Sequence, residues 1–410
     1  MSCNEWKEYS LDEICRYRKQ KISIEKIDFN NYISTENMLQ GKKGVTIASN
    51  IPKSKNVDKY LKDDILISNI RPYFKKIWYA DKDGGASSDV LIFYNIDDNI
   101  LDNKYLYYLL SSDDFFNYVI STSKGTKMPR GDKDAIMKYK INLPSLQEQI
   151  KISNILSSLD NKVELNNEMN KILEEMAQSI FKRWFVEFEF PNEKGEPYKS
   201  SGGEMYESEQ GMIPKGWKVK IMSELIEVKD GTHASPKVSK EGYPLVTSKH
   251  IKGDSIAIEE AKLISEKDYL EVNKRSKVDT GDILISMIGT VGLTYLVQED
   301  NINFAIKNIG LFKTSQNMKL NEYIYLYLKS QNMKNYIESR LAGTTQRYIS
   351  LGELRSMPII YPNYQVIEKF KSIVENLLKN KRKNIEENKL LMNLRETLLP
   401  KFMNGDIKVD

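Results

Sequence analysis

The chain has 410 residues, of which 40% are hydrophobic and 29% are charged, and its net charge is +4. A chain of this length forms two or more domains, each burying its own core. No apolar run approaches the ~20 residues of a membrane helix, and the N-terminal MSCNEWKEYS is polar, so we expect neither a membrane span nor a signal peptide.

Cysteine and histidine are rare: the sequence contains only Cys3, Cys15, His233 and His250. Two cysteines are too few for a disulfide framework or a Cys-based zinc site, and they fit a reducing compartment. We therefore predict a cytoplasmic protein with no bound metal. The small positive charge permits a nucleic-acid partner but could not alone give strong phosphate-driven affinity.

The first 144 residues predict a globular domain of short strands with a few small helices. Compact β-branched runs at 64–70 and 90–94 predict strands, and the Tyr- and Leu-rich segment 103–111 predicts an amphipathic helix. Asp63 and Asp64 would suit nuclease carboxylates, but a turn that opens the strand is the favoured interpretation. We expect a mixed, twisted sheet.

Two loops of this domain interleave basic, aromatic and hydroxyl side chains. A Gly-Thr turn offers backbone N–H groups to a phosphate, and arginine reaches base edges, although solvated surface loops have the same composition. The candidate DNA-binding residues here are Arg71, Tyr73, Lys75, Lys76, Lys124, Thr126, Lys127 and Arg130.

Residues 146–186 predict one long helix without Pro or Gly, on the order of 60 Å in length at 1.5 Å per residue. Its apolar residues recur at three-then-four spacing, which is typical of a coiled-coil seam that needs a partner helix. The predicted seam comprises Ile152, Ile155, Leu159, Asn166, Met169, Leu173, Met176 and Ile180. Residues 187–215, rich in Pro, Gly and Ser, predict a linker.

Residues 214–361 predict a second globular domain with strands at 282–288 and 306–312 and a helix at 321–330. Its polar loops hold both histidines and several hydroxyls, which suit major-groove contacts, although a lone histidine is more often structural. The candidate DNA-binding residues are Thr232, His233, Ser235, Lys237, Ser248, Lys249, His250, Thr344, Thr345, Gln346, Arg347 and Tyr348.

An offset of 218 residues relates the two halves of the chain. Asp64-Ile-Leu-Ile-Ser68 recurs as Asp282-Ile-Leu-Ile-Ser286, and the Gly-Thr of 125–126 recurs at 343–344. The same offset carries the seam into a second long helix, with Phe370, Ile373, Leu377, Asn384, Leu391, Leu394 and Leu398. The chain is therefore a tandem duplication of a globular domain followed by a long helix.

Charge favours pairing between the two long helices. Residues 146–213 carry 13 acidic against 7 basic side chains, whereas residues 364–410 carry 7 against 10. Asn166 and Asn384 occupy matching seam positions, either as a buried pair that fixes the register or turned toward solvent. Antiparallel helices would place the domains at opposite ends, about an approximate two-fold axis.

Catalytic motifs are missing from the sequence. We find no phosphate-binding G-x-x-x-x-G-K-[ST], no G-x-G-x-x-G, no H-E-x-x-H, no G-x-S-x-G and no Asn-Pro-Pro-aromatic tetrapeptide. Methyl transfer would therefore need a partner protein.

Five segments together resemble the specificity subunit of type I restriction-modification systems, and the resemblance spans essentially the whole chain. They are Leu143-Pro-Ser-Leu-Gln-Glu-Gln149, Phe181-Lys-Arg-Trp-Phe-Val-Glu-Phe188, Ser208-Glu-Gln-Gly-Met-Ile-Pro-Lys-Gly-Trp217, Asp230-Gly-Thr-His-Ala-Ser-Pro236 and Leu398-Leu-Pro-Lys-Phe-Met-Asn-Gly405.

The resemblance implies an α+β fold with two mixed α/β target-recognition domains, 1–144 and 214–361. Two long antiparallel coiled-coil helices, 145–213 (with its linker) and 362–410, would separate them in a pseudo-two-fold tandem repeat. Each domain would read half of a bipartite, asymmetric site on double-stranded DNA, and the helices would set the spacer and dock two modification subunits.

The resemblance further implies that the chain binds no cofactor, because S-adenosylmethionine, ATP and Mg would belong to the modification and restriction subunits. The chain would then not be an enzyme. Two other hypotheses stay open on the residues alone: a coiled-coil adaptor that never touches DNA, and a self-contained DNA-modifying enzyme.

Overall fold

The computed structural model describes residues 6–409, so Cys3 lies outside the described residues. The described chain divides into two compact units. The first unit comprises the residues up to Asn166 together with those from Ile385 onward, and the second unit comprises Asn167–Asn384. The division passes through both long helices, so each unit contains a segment of each.

The first unit begins with short strands and ends in the first long helix. Its elements are β1 (Lys7–Ser10), α1 (Leu11–Ile14), β2 (Cys15–Tyr17), β3 (Lys21–Ser23), β4 (Tyr32–Ile33), β5 (Asn56–Tyr60), β6 (Ile65–Ser68), β7 (Ile77–Tyr79), β8 (Gly84–Ala86), β9 (Val90–Asn95), α2 (Asn103–Leu110), α3 (Asp113–Ser121), α4 (Lys133–Met137), β10 (Lys140–Leu143) and α5 (Leu146–Phe185).

Three small sheets build this unit. One is antiparallel in the order β2-β9-β6-β7, the second has the order β3-β5-β8-β4 with a parallel β4–β8 pair, and β1 pairs with β10. The main core lies between the first sheet and α2 and α3, where Phe93, Tyr105 and Phe115 are fully buried. Gln149, in the first turn of α5, donates to the carbonyl oxygens of Ile100 and Pro144 at 3.0 Å, which fixes the start of the long helix.

The second unit repeats this order and ends in the second long helix. Its further elements are β11 (Met205–Ser208), β12 (Gly211–Pro214), β13 (Lys218–Ile221), α6 (Met222–Leu225), β14 (Val228–Asp230), β15 (Tyr243–Thr247), β16 (Lys262–Ile264), α7 (Glu266–Ser276), β17 (Ile283–Ser286), β18 (Thr294–Leu296), β19 (Ala305–Lys307), β20 (Ile309–Phe312), α8 (Asn321–Lys329), α9 (Gln331–Ser339), α10 (Leu351–Arg355), β21 (Pro358–Tyr361) and α11 (Tyr364–Met403).

The sheets of the second unit match those of the first. The antiparallel order β14-β20-β17-β18 corresponds to β2-β9-β6-β7, and β13 pairs with β21 as β1 pairs with β10. A three-stranded sheet, β16-β15-β19, contains one parallel pair. The predicted mixed fold and tandem repeat are therefore confirmed, as are the strands expected at 64–70, 90–94 and 282–288.

The strand expected at 306–312 is broken. Asn308 has a φ of 53°, in the left-handed region, and it separates β19 from β20, which belong to different sheets. The segment reads as one strand because apolar residues flank Lys307 and Asn308, but one residue in the left-handed conformation is enough to redirect the chain.

The segment expected to be a linker is ordered by its aromatic residues. Phe190 stacks on Tyr198 and on Trp217, with ring centroids 4.6 and 4.8 Å apart, and β11 and β12 form a hairpin within the same segment. Phe188 and Phe190 are buried in the core of the second unit. Burial of large aromatic surfaces here outweighs the local preference of Pro and Gly for an open chain.

The long helices run antiparallel in each unit. In the first unit, Asn166 on α5 donates to the side-chain oxygen of Asn388 on α11 at 2.9 Å. In the second unit, Asn384 donates to the side-chain oxygen of Asn170 at 2.9 Å. The predicted asparagines therefore lie at the seam, but in two pairs that the 218-residue offset interconverts, rather than in one pair of Asn166 with Asn384.

The phase of the predicted seam is partly wrong. Three of the predicted residues are buried: Ile152, Asn166 and Phe370. Eight are half-buried: Ile155, Leu159, Leu173, Ile180, Leu377, Asn384, Leu391 and Leu398. Met169, Met176, Ile373 and Leu394 are exposed. The positions next to them close the seam: Asn170, Ala177 and Val374 are buried, and Arg395 is half-buried. The sequence predicted a stripe next to the true seam, because that stripe has the bulkier apolar residues. The contact between the two helices is formed instead by the paired asparagine amides and a small alanine.

Candidate nucleic-acid interface

Two loops that were predicted separately lie side by side in the first unit. The backbone N–H of Lys124 donates to the carbonyl oxygen of Arg130 at 2.9 Å, and the reverse bond has the same length, so residues 124–130 form a closed loop. The N–H of Arg71 donates to the carbonyl oxygen of Pro129 at 2.8 Å. These bonds join the segments around Arg71 and Arg130 into one surface.

Several side chains of this surface are available to a ligand. Arg71, Tyr73, Thr126 and Lys127 are exposed. The Arg130 guanidinium lies 3.0 Å from Asp89, and Lys124 lies 2.5 Å from Asp132. One carboxylate holds only part of a five-donor guanidinium, so Arg130 keeps donors for a base or a phosphate.

Lys75 and Lys76 have structural roles instead. The Lys75 ammonium pairs with Asp113 at 2.8 Å, and the Lys76 ammonium donates to the carbonyl oxygen of Thr35 at 2.6 Å. Burial lowers the pKa of Lys76. Both are half-buried, because the short helical turn at Pro72–Phe74 directs them back toward the domain.

The second unit builds an equivalent surface. Ala342 and Tyr348 exchange backbone hydrogen bonds of 2.9 Å, and the N–H of Gly289 donates to the carbonyl oxygen of Arg347 at 3.1 Å. Thr344, Thr345 and Gln346 are exposed, as are Arg347 and Tyr348. Arg347 forms an exposed ion pair with Glu338 at 2.8 Å, which surface screening makes weak and replaceable.

Beside this loop lies an open groove of about 830 Å³. It is lined by Thr247, Ser248, Lys249, Ile251, Lys252, Ile288, Gly289, Thr290, Leu293, Asn308 and Gln346. The sequence identified Ser248, Lys249 and Gln346, but it missed Lys252, Gly289, Thr290 and Asn308. The 218-residue offset could have identified Gly289, because this residue lies 218 residues after the predicted contact residue Arg71.

Two of the predicted residues near the groove are structural rather than contact points. Ser248 is buried, and its hydroxyl donates to the carbonyl oxygen of Asn308 at 2.8 Å. His250 is buried, and its Nδ1 accepts the backbone N–H of Thr247 at 2.9 Å. Burial, assisted by the charge of Lys249, lowers the pKa of His250. Both residues therefore fix the backbone.

The histidine loop of the second unit lies against the same region. His233 contacts Asp230 and Asn308 through its two ring nitrogens, each at 2.8 Å. The Ser235 hydroxyl accepts from Lys307 at 2.5 Å, the Thr232 hydroxyl accepts the N–H of Ala234 at 3.1 Å, and Lys237 is exposed. Only His233 and Lys237 of this group present an exposed charged or ring group.

The carboxylates that open β6 and β17 are structural. Asp64 accepts two bonds from Arg18, at 2.5 and 2.7 Å, and the N–H of Leu61 at 2.8 Å. Asp282 pairs with Lys313 at 2.5 Å and accepts the N–H of Asp279 at 2.8 Å. The strand-opening turn that was favoured over a nuclease site is confirmed.

Residues 6–409 contain no candidate for a membrane-spanning helix or for a metal site of three or more His, Cys, Asp or Glu side chains. None of the helices there combines the length and apolar character of a membrane span. No group of three or more His, Cys, Asp or Glu side chains in that part of the chain is placed to hold a metal ion.

The fold and these surfaces define a class: a duplicated α+β protein with a long antiparallel helix pair and, in each unit, a polar loop surface suited to nucleic acid. Residues 4–175 and 214–389 match the family model described as "Type I restriction modification DNA specificity domain". The chain belongs to this family. The family's role is DNA specificity, which is a binding role rather than a catalytic one.

Individual relatives are similar in sequence to this chain over most of its length. It is 27% identical to the type I restriction enzyme HindI specificity subunit of Haemophilus influenzae, covering 98% of this chain and all of the relative. It is 28% identical to the MjaIX specificity subunit of Methanocaldococcus jannaschii, covering 75% and 70% of the two chains. The fold matches the crystal structure of a type I S subunit from M. genitalium, with a TM-score of 0.60 and 16% identity over 98% and 97% of the two chains.

Proposed function

We propose that the chain is the DNA sequence-specificity subunit of a type I restriction-modification complex, in which each globular domain reads one half of a bipartite, asymmetric site. The observation that carries this proposal is the repetition of one loop surface in both units, with the same backbone bonds and different side chains. A shared frame with different exposed groups suits two domains that read different sequences.

The reading residues that we propose are the exposed ones of these surfaces. In the first domain, 1–144, they are Arg71, Tyr73, Lys124, Thr126, Lys127 and Arg130. In the second domain, 214–361, they are Lys237, Lys249, Thr344, Thr345, Gln346, Arg347 and Tyr348; His233 is also exposed, but both its ring nitrogens are held by Asp230 and Asn308. Lysines and hydroxyls position the phosphate backbone, whereas arginine and glutamine distinguish base edges.

Two apolar faces on the long helices support docking of two modification subunits. Ile172 and Met176 on α5 are 56% and 47% exposed, and Leu390 and Leu394 on α11 are 70% and 45% exposed. The second pair lies 218 residues after the first. Exposed apolar faces of this kind mark protein interfaces, and two equivalent faces suit two copies of one partner.

The remaining assignments follow from this role. The helix segments 145–213 and 362–410 act as the spacer between the half-sites. S-adenosylmethionine, ATP and Mg are bound by the modification and restriction subunits rather than by this chain, and the complex acts on double-stranded DNA in the cytoplasm.

Co-expression of the chain with its cognate modification subunits tests the proposal. Single-molecule sequencing of host DNA should show methylated adenine in a gapped, two-part motif that is missing from cells without this chain. A stable complex that leaves the methylation pattern unchanged would contradict the proposal and favour a protein adaptor that does not touch DNA.

A further inference from the structure

Asn308 is fixed at the edge of the groove by its backbone. Its φ of 53° is a conformation that asparagine tolerates better than most residues. Its carbonyl oxygen accepts from the Ser248 hydroxyl at 2.8 Å, and its N–H donates to the carbonyl oxygen of Thr232 at 3.2 Å. The side chain therefore projects from a defined point where β19 ends and β20 begins.

The amide of Asn308 is oriented by a chain of two side chains. Its amide oxygen lies 2.8 Å from His233 Nδ1, and His233 Nε2 lies 2.8 Å from a carboxylate oxygen of Asp230. Asp230 is buried and also pairs with Arg275. A carboxylate only accepts hydrogen bonds, so Nε2 donates to Asp230. His233 Nδ1 donates to the amide oxygen in one orientation of the Asn308 amide. A half-turn that exchanges the amide oxygen and nitrogen lets the NH₂ donate to Nδ1 at the same place.

This arrangement leaves a donor and an acceptor on Asn308 for a ligand. In either orientation of the amide, the contact with His233 takes one lone pair of the oxygen or one N–H, so at least one N–H and one lone pair of the oxygen remain. Asn308 is half-buried and lines the open groove beside Lys249 and Gln346. In the major groove, adenine presents N7 as an acceptor next to the N6 amino donor, and asparagine matches that pair with two hydrogen bonds.

The first unit has a different group at the equivalent place. Val90 pairs with Ser68 as Ile309 pairs with Ser286, so Asp89 and Asn308 precede their strands at corresponding positions. Asp89 is a carboxylate that contacts Arg130 at 3.0 Å. The same position therefore directs an arginine in one unit and presents an amide in the other, as expected of a position that differs between two target sequences.

We propose that Asn308, oriented by His233 and Asp230, is an adenine-reading residue of the second recognition domain. This inference rests on the proposed function and adds to it the identity of one base. His233 acts as a positioning residue, because it holds the amide and does not itself contact the base.

Methylation-motif sequencing of the intact complex tests the inference with Asn308→Ala and Asn308→Asp. In Asn308→Ala, one adenine of one half-site, other than the methylated base, should become degenerate, with discrimination falling on the order of 10- to 100-fold. In Asn308→Asp, the preference there should move to cytosine, whose N4 amino group donates to a carboxylate. The other half-site and the spacer should be unchanged, which also controls for folding. Asn332→Ala, on an exposed residue of α9 outside the groove, is the matched control.

His233→Phe separates positioning from packing. It should relax the same adenine position, and the His233→Phe/Asn308→Ala double variant should discriminate no worse than Asn308→Ala alone, because the two residues act as one unit. The inference is overturned by Asn308 variants that retain the wild-type motif, by relaxation at a position without adenine, or by uniform loss of methylation. A wild-type complex that yields no gapped motif would overturn the proposed function itself.

Discussion

Lys381 is buried in the second unit, where its ammonium group lies 2.7 Å from Glu174 and 2.6 Å from Asp254. Lys329 on α8 contacts the same two carboxylates at 2.7 and 3.2 Å. Burial opposes ionisation of both carboxyls, but the two lysine charges outweigh it and hold the pKa values of Glu174 and Asp254 below their ordinary range. The network ties the long helices to the globular part of this unit.

The lowered pKa values predict a loss of stability in acid. The unfolded chain binds more protons at these two sites, so their contribution is complete above the ordinary pKa values and declines as the pH falls through the lower folded values. Thermal unfolding between about pH 5 and pH 3 should therefore show falling stability. Glu174→Gln should flatten this dependence, whereas the exposed neighbour Glu175→Gln should not. Equal slopes for both variants would refute the role of the network.

Which single residues lie exposed on the two proposed DNA-reading surfaces was only partly predictable. Arg130 and Gln346 were identifiable because their side chains have base-reading chemistry and lie in repeated loops. Ser248 and His250 have similar chemistry but are buried, and the Ser248 hydroxyl bonds to Asn308, which is distant in sequence. Asn308 was missed because it lies within a segment predicted as a single strand, and its left-handed conformation and its hydrogen bonds with Ser248 and Thr232 are not visible in the local sequence.

At the scale of elements, the seam of the long helices shows why periodicity alone set the wrong phase. Two adjacent stripes of α5 both follow three-then-four spacing, and the stripe richer in methionine is the exposed one. The seam instead contains Asn166 and Asn170, whose amides pair with Asn388 and Asn384. Buried amide pairs fix register at a cost in stability, and they leave the larger apolar residues for another partner.

The two exposed apolar faces of the long helices lead to a prediction about the number of modification subunits in the complex. Ile172→Asp and Leu390→Asp should each remove one modification subunit from the complex, with affinity at the altered face falling about tenfold or more, because an aspartate would be buried against an apolar partner. The double variant should bind none. Native mass spectrometry of the purified complex counts the subunits, and Lys171→Asp, an exposed neighbour on α5, is the control. Retention of both subunits by the double variant would place docking elsewhere.

At the scale of the molecule, the duplication was the most predictable feature and the most informative one. The 218-residue offset predicted matching sheets, matching loops and two long helices, because segments with the same apolar pattern in the same order form similar cores. It did not foretell how residues 187–215 would fold, since the stacking of Phe190 and Trp217 has no counterpart in the first unit's sequence.

In the proposed complex, the globular domains read sequence and the helices set only the distance between the half-sites. One heptad inserted into each helix, between Asn166 and Asn170 in α5 and between Asn384 and Asn388 in α11, preserves the seam pattern and adds about 10 Å. Methylation-motif sequencing should then show both half-sites unchanged and the spacer longer by about three base pairs, at 3.4 Å per base pair. An altered half-site sequence, or an unchanged spacer in an active complex, would contradict the account.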